Sequence, residues 1–370
     1  MKPPTFMSQT DARKSLTQAR RIVVKVGSRT LATEPQLPER LADDFKAAID
    51  LGKSIVLVSS GATALGIERL GLSTRPTDMP TLQAAASVGQ ALLMRRYDEA
   101  FSRHGLTPAQ VLLTHGDLSN RKRVNNARAA LAALIEAGAI PIINENDVVA
   151  TEEIRFSDND QLAAMVAPLV SADALLLLSD VDGVLDENGV RIPELADTSD
   201  FIDHGSPDRI GRGGMGSKLD AARKARRSGA AVVIADARAP GILTRVLAGE
   251  DVGTCIGEVG ERLRARQHWI AFTLKPRGTI VVDQGAARVV ERGTSSLLPV
   301  GVIGIRGDFR RGDSVLVVDT AGRELGRGLT RLSALEVAAS AGKKGEELAA
   351  ALGGMEDAVV IHKDDLVVER

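Results

Sequence analysis

The chain is poor in the residues on which several kinds of protein depend. It holds one cysteine, Cys255, in 370 residues, which excludes an internal disulfide framework and any multi-cysteine metal site and points to a reducing cytoplasm. One Trp, one Tyr and seven Phe leave few aromatic platforms on which single-stranded nucleic acid could stack. The net charge is −1, so the whole molecule has no electrostatic bias toward nucleic acid or an anionic membrane. No apolar run nears the ~18 residues that a transmembrane helix needs. The five histidines (104, 115, 204, 268 and 362) show neither an HExxH pattern nor triad-like spacing. The opening MKPPTFMSQTDARKSLTQAR lacks an apolar core of the kind signal peptides have. Residues 1–17 read as a mobile leader, with Met7 as an alternative start.

What is present is ordinary in bulk and specific in pattern. Apolar residues make up 44% and charged ones 26%, enough for two domains with sizeable cores. Aliphatic strands are expected at Arg21–Val26, Ser54–Val58, Ala109–Leu113, Ile140–Ile143, Ala174–Leu178 and Ala231–Ile234. Helical spacing over Leu37–Gly52, Thr81–His104, Val124–Ala137 and Leu162–Val170 separates them. Strand and helix in alternation predict an α/β fold: a mostly parallel sheet sandwiched by helices.

Several strands run into small or polar residues: Gly27-Ser28, Ser59-Ser60-Gly61, Asn144 to Asp147, and Ser179-Asp180. Each alone reads as a turn. Repeated along the carboxyl edge of one sheet, where open α/β folds bind ligands, they read as a substrate groove. The densest part is Ile140 to Met165. There a strand enters Asn144-Glu145-Asn146-Asp147, and a second knot, Ser157-Asp158-Asn159-Asp160, opens the next helix, with Ser157 or Asp158 as its N-cap. Further on, Gly211 to Lys218 places four glycines and a lysine before a helix expected from Leu219 to Ser228. Such a segment is an anion cradle of amides, helix dipole and one point charge, or else a flexible surface loop. Its order does not match a P-loop.

Beyond a helical connector the pattern changes. Gly278 to Val318 carries short β runs (TIVVD, ARVVERG, SLLPVGVIGI, DSVLVVD), followed by helices within Arg331–Leu352 and a last strand within Ala358–Val368. This predicts a small β-barrel-like module.

The motifs VVKVGS at 23–28, VSSGA at 58–62, INENDVVAT at 143–151, DND at 158–160, LLLLSD at 175–180 and GGMGSK at 213–218 occur in register, with SSLLPVGV at 295–302 and IHKDDL at 361–366 after them. In these the chain resembles the amino acid kinase family joined to a C-terminal PUA domain, and within it the members that act on free glutamate. The resemblance implies a kinase domain over 18–258, a connector over 259–274, a PUA domain over 275–357 and a C-terminal strand or tail over 358–370. It implies transfer of the γ-phosphoryl group of ATP, with Mg²⁺, to the side-chain carboxylate of L-glutamate at the start of proline synthesis. Implied partners are proline as inhibitor, glutamyl phosphate reductase as taker of the labile product, and further copies of the chain in a homo-oligomer. No membrane partner is implied, and RNA binding through the PUA domain is the other class of reading. By family position Lys25, Lys218 and Asp160 are catalytic, with Asp160 organising the two lysines, while Ser60, Gly61, Asp147 and Asn159 bind glutamate. The nucleotide would meet Lys25, Ser179, Asp180, Arg212, Gly213, Gly214, Met215, Gly216, Ser217 and Lys218, and no side chain is assigned as a dedicated metal ligand. Two features depart from the family pattern: Arg212, where Thr is common, and a shortened loop, VDGVLDENG, after Asp180.

Independent chemistry agrees with that reading. A carboxylate acceptor is already ionised at neutral pH and needs no base. Phosphoryl transfer needs positioning and cations, and Lys25 and Lys218 supply the cations. The acidic knot suits an ammonium group, which favours a free amino acid over N-acetylglutamate. Family relatives acting on acetylglutamate, aspartate, UMP or carbamate remain the alternative acceptors.

Overall fold

A computed structural model describes residues 11–150, 159–196, 214–257, 263–355 and 358–368. The chain forms two compact units, Met1–Arg262 and Leu263–Arg370. Among the described residues no helix is long and apolar enough to cross a membrane.

The first unit is built on an eight-stranded sheet. Its strands are β1 (Arg21–Val26), β2 (Ser54–Val58), β3 (Thr107–Leu113), β4 (Ala139–Glu145), β5 (Ala174–Ser179), β6 (Glu194–Leu195), β7 (Ala231–Asp236) and β8 (Thr254–Ile256), in the order β3-β4-β2-β1-β5-β7-β8-β6. Pairing is parallel except between β7 and β8. Side chains on a strand alternate between faces, and here each face meets its own core. Ile22, Val24 and Val26 of β1 join a cluster with Phe45, Leu93, Tyr97 and Phe101. Val23 joins the other, with Leu162, Val166, Leu219 and Ala222. The expected three-layer α/β sandwich is what forms.

Two details differ from expectation in this unit. Residues 11–17, expected within a mobile leader, lie in the helix Asp11–Gln18, with Leu16 wholly buried. Arg13 explains it. Its guanidinium donates to the carbonyls of Glu250, Val252, Pro193 and Gly253 and pairs with Asp251 at 2.9 Å, giving those turn oxygens the donors they lack. The helix expected from Leu219 begins earlier, at Met215, with Gly214 as its extended N-cap.

A close crossing of two helices sets the back wall of the carboxyl edge. Gly61, at φ 96°, turns the chain leaving β2 straight into the helix Ala62–Arg69, a backbone state that glycine enters without strain. That helix lies against the long helix Met79–Ser102 through Gly66 and Gly89. A side chain on Gly66 would collide with the carbonyl of Ala85, and one on Gly89 with that of Ala62.

The second unit holds a five-stranded sheet of β9 (Gly278–Val282), β10 (Val302–Gly307), β11 (Ser314–Val318), β12 (Glu324–Thr330) and β13 (Ile361–Val368), in the order β10-β9-β11-β12-β13. Only β9 and β11 pair in parallel. A bridge between Leu297 and Ile361 curls the chain before β10 back onto β13, which makes the sheet barrel-like. The run ARVVERG, expected as a strand, is instead the helix Gln284–Arg292. Asp283 caps it by accepting from Ala286 N–H at 2.7 Å, Gly293 ends it, and Ala287 and Val290 face the core one turn apart. The helix Ala265–Phe272, in the segment expected as a connector, packs Ile270 and Ala271 against Val367.

Candidate active site

Strand parity places the first functional group. Lys25 lies on the same side of β1 as Val23, facing the helix Asn159–Leu169. Asp160, in that helix's first turn, is fully buried and binds two ammonium groups: Lys25 Nζ lies 2.5 Å from Oδ1 and Lys218 Nζ 3.2 Å from Oδ2. Ala163, Ala164 and Ala167, all buried, let this helix lie close to its neighbours. Burial by itself would raise the pKa of Asp160. Lys25 and then Lys218 outweigh it and hold the carboxyl below its ordinary range. Two cations around one carboxylate leave an excess positive charge, suited to a phosphoryl group in transfer.

One residue earlier stands Asn159, whose amide nitrogen donates to the carbonyl of Ser59 at 2.7 Å, to Ser60 Oγ at 2.7 Å and to Asn144 Oδ1 at 2.9 Å. The ends of β2 and β4 are thus tied to the start of this helix. The chain then turns through Asn146, which donates to the Leu113 carbonyl at 3.0 Å and accepts from Ala150 N–H. Asp147 sits in that turn, only 9% exposed. Burial pushes its pKa up to about 6, and the charge of Arg75 partly offsets this. A buried carboxylate held this high is suited to meet a cation brought by a ligand.

On the other side of β1, Ser179 ends β5 and Asp180 follows it. Ser179 Oγ donates to Asp180 Oδ1 at 3.1 Å, Arg29 pairs with Oδ2 at 3.1 Å, and Arg238 donates to the Asp180 carbonyl at 2.8 Å. Burial raises the pKa of Asp180, but the Arg29 hydrogen bond and its companions bring it below the ordinary value. The short loop beyond folds into a turn at Asp186–Val190, anchored where Thr254 Oγ1 accepts from Val184 N–H at 2.8 Å. Met215, Gly216 and Ser217 form the first turn of a helix, whose leading N–H groups have no intrahelical acceptors. Ser217 Oγ is buried and has no partner among the described residues. Arg212 and Gly213 lie outside the described residues, as do Ser157 and Asp158, the expected caps.

The amino acid kinase family pattern matches residues 20–236, and the PUA domain pattern matches residues 278–352. The chain belongs to the amino acid kinase family. Among curated relatives, "Glutamate 5-kinase" of Pseudomonas paraeruginosa is 46% identical over 370 residues, covering 96% of this chain and 100% of the relative. That of Methylococcus capsulatus is 44% identical over 376 residues, covering 96% and 99%. The solved N-acetylglutamate synthase of Neisseria gonorrhoeae, complexed with coenzyme A and N-acetyl-glutamate, aligns at TM-score 0.52 and 20% identity over 69% of this chain and 64% of that one. It shares the fold.

In this amino acid kinase, Lys25, Ser60, Asn159, Asp160 and Lys218 are brought into one bonded assembly. Asp147 stands in the adjoining turn, Gly61 shapes the backbone, and Ser179 ends the strand paired with β1, with Asp180 following it. Reading by motif did not single out Gln90, Arg29 or Arg238, and it placed Ser59 and Asn144 in the polar strand ends without a role of their own. Gln90 had a signal of its own, a glutamine beside Gly89, the one glycine of an Ala-rich helix. Among the described residues no three His, Cys, Asp or Glu side chains could hold a metal.

Proposed function

We propose that this amino acid kinase transfers the γ-phosphoryl group of ATP to the side-chain carboxylate of free L-glutamate, forming L-glutamyl 5-phosphate and ADP, the first step of proline biosynthesis. The observation that carries the substrate reading is Asp147, a buried carboxylate beside an amide cluster that adjoins the lysine pair. A zwitterion with a second carboxylate fits it: Asp147 would take the α-ammonium, Ser60 and neighbouring backbone N–H groups the carboxylates. N-acetylglutamate has no ammonium and would leave Asp147 uncompensated. The near full-length relatives named for glutamate support the same substrate.

The acceptor oxygen is the nucleophile and already ionised, so positioning and charge do the work. Lys25 and Lys218 would hold the transferring and leaving oxygens, with Asp160 fixing one ammonium group on each of its carboxylate oxygens. The first-turn amides at 215–217 and the Ser217 hydroxyl would hold nucleotide phosphates, and Ser179 and Asp180 would flank the nucleotide. Bound Mg²⁺ supplies charge neutralisation on those phosphates. Proline carries the same ammonium and α-carboxylate head and would compete for the acceptor side. The acyl phosphate is short-lived, which favours handover to its reductase, and a homo-oligomer would be the working form.

ADP release across a panel of amino acids, with hydroxylamine present, tests this. Only free L-glutamate should drive turnover and yield the γ-hydroxamate. Equal activity on N-acetylglutamate would overturn the assignment.

A further inference from the structure

The amide orientations in the acceptor cluster are set by backbone groups that have no choice of role. The Ser59 carbonyl can only accept, so the Asn159 amide nitrogen must face it, at 2.7 Å. Glu145 N–H can only donate, so Asn144 Oδ1 must face it, at 2.9 Å. The amide nitrogen of Asn144 is thereby turned toward Gln90, whose Oε1 accepts from it at 2.9 Å. The result is a polarised relay from Gln90 on the helix Met79–Ser102, through Asn144 and Asn159, to Ser60.

The relay has a consequence for the ligand. The two N–H groups of the Asn159 amide are shared among three acceptors, which leaves its Oδ1 as the group it can offer. Ser60 Oγ accepts from Asn159, so its own proton is left to donate. One acceptor for an ammonium and one donor for a carboxylate are what an amino-acid zwitterion requires.

Gln90 is held there at a cost. Its Nε2 is buried with no partner among the described residues, an arrangement that an apolar side chain would avoid. Its place depends on the glycine crossing, since Gly89 lets this helix close on Ala62 just beyond Gly61. Gln83, two turns earlier, reaches the same loop and donates to the Ala150 carbonyl at 3.4 Å.

We infer that Gln90 is a positioning residue for the amino-acid acceptor: by accepting from Asn144 it holds in place the amide that receives Asn159, and so keeps Asn159 Oδ1 and the Ser60 proton presented to the substrate. This rests on the glutamate kinase reading above. The test is steady-state kinetics on full-length wild type, Gln90→Met and Gln90→Glu, varying glutamate and ATP separately, with thermal melting alongside. Gln90→Met conserves volume but removes the acceptor. It should raise the glutamate KM by about ten- to a hundredfold, as expected when a buried amide loses its partner, and leave the ATP KM within about twofold. Its Tm should change little, because one unpaired buried amide donor replaces another. Gln90→Glu keeps an acceptor at that position and should restore most of the glutamate affinity. An unchanged glutamate KM in Gln90→Met would overturn the inference. So would parallel rises in both KM values with a lower Tm, or a Gln90→Glu variant as impaired as Gln90→Met. Wild type that turns over ATP with another acceptor but not glutamate would overturn the parent reading itself.

Discussion

Lys218→Ala is expected to lower kcat by about 10²–10³, equivalent to about 2.7–4 kcal/mol, by analogy with loss of one preorganised electrostatic donor. Lys218 is buried, and Asp160 holds its ammonium at 3.2 Å. In a loose transition state, negative charge spreads over the transferring and leaving oxygens. A cation that need not reorganise gains more there than in the ground state. ATP binding should weaken far less, because Lys25 and the first-turn amides at 215–217 remain. Lys218→Arg should rescue only in part, since a planar fork does not replace a point charge held against one carboxylate. The check is kcat and ATP KM of the purified variant, with its fold verified by circular dichroism. Near-normal kcat with a raised ATP KM would make Lys218 a binding residue only.

Asp147→Asn should move function and stability in opposite directions. Burial raises the Asp147 pKa to about 6, against 3.8 for the ordinary group. Below pH ~4 the carboxyl is protonated in both folded and unfolded chains and costs nothing. As the pH rises through about 6, folding must bear a buried charge, a loss of about 2–3 kcal/mol that persists at neutral pH. Asparagine does not titrate. The variant should therefore melt higher than wild type at pH 7–8, with the difference vanishing below pH ~4. Its glutamate KM should rise by about ten- to a hundredfold, the value of a charge-assisted contact, with the ATP KM nearly unchanged. In wild type the glutamate KM should climb as the pH falls through about 6, and in the variant that dependence should disappear. A collapse of ATP affinity instead would mean that the acceptor and nucleotide sides are reversed.

The central strands were legible because their signal is local. β1 and β2 begin and end where their aliphatic runs do, and parity then places Lys25. The pairing of Lys25 and Lys218 around Asp160 was legible only through family resemblance, since the three residues come together from distant parts of the chain. The helix Gln284–Arg292 was misread because its β-branched pair suited a strand, while the Asp283 cap and Gly293 stop decided otherwise. Arg13 lay hidden for a different reason. Its partners are backbone carbonyls of a distant turn, which have no signature in sequence. Gln90 had only its place beside Gly89 to mark it, because its role depends on a glycine crossing between two helices.

The side-chain carboxylate of glutamate is expected to attack the γ-phosphorus of ATP directly. The decisive measurement supplies L-glutamate carrying ¹⁸O in both side-chain carboxylate oxygens, with ATP and hydroxylamine, and determines the isotope content of the phosphate released. Direct attack makes one labelled oxygen the bridge of the acyl phosphate. Hydroxylamine then breaks the carbon–oxygen bond, so each phosphate should leave with one ¹⁸O, and glutamate labelled only in its α-carboxylate should give none. Unlabelled phosphate in step with ADP from the side-chain-labelled substrate would show that water, not glutamate, is the acceptor, and would contradict the account.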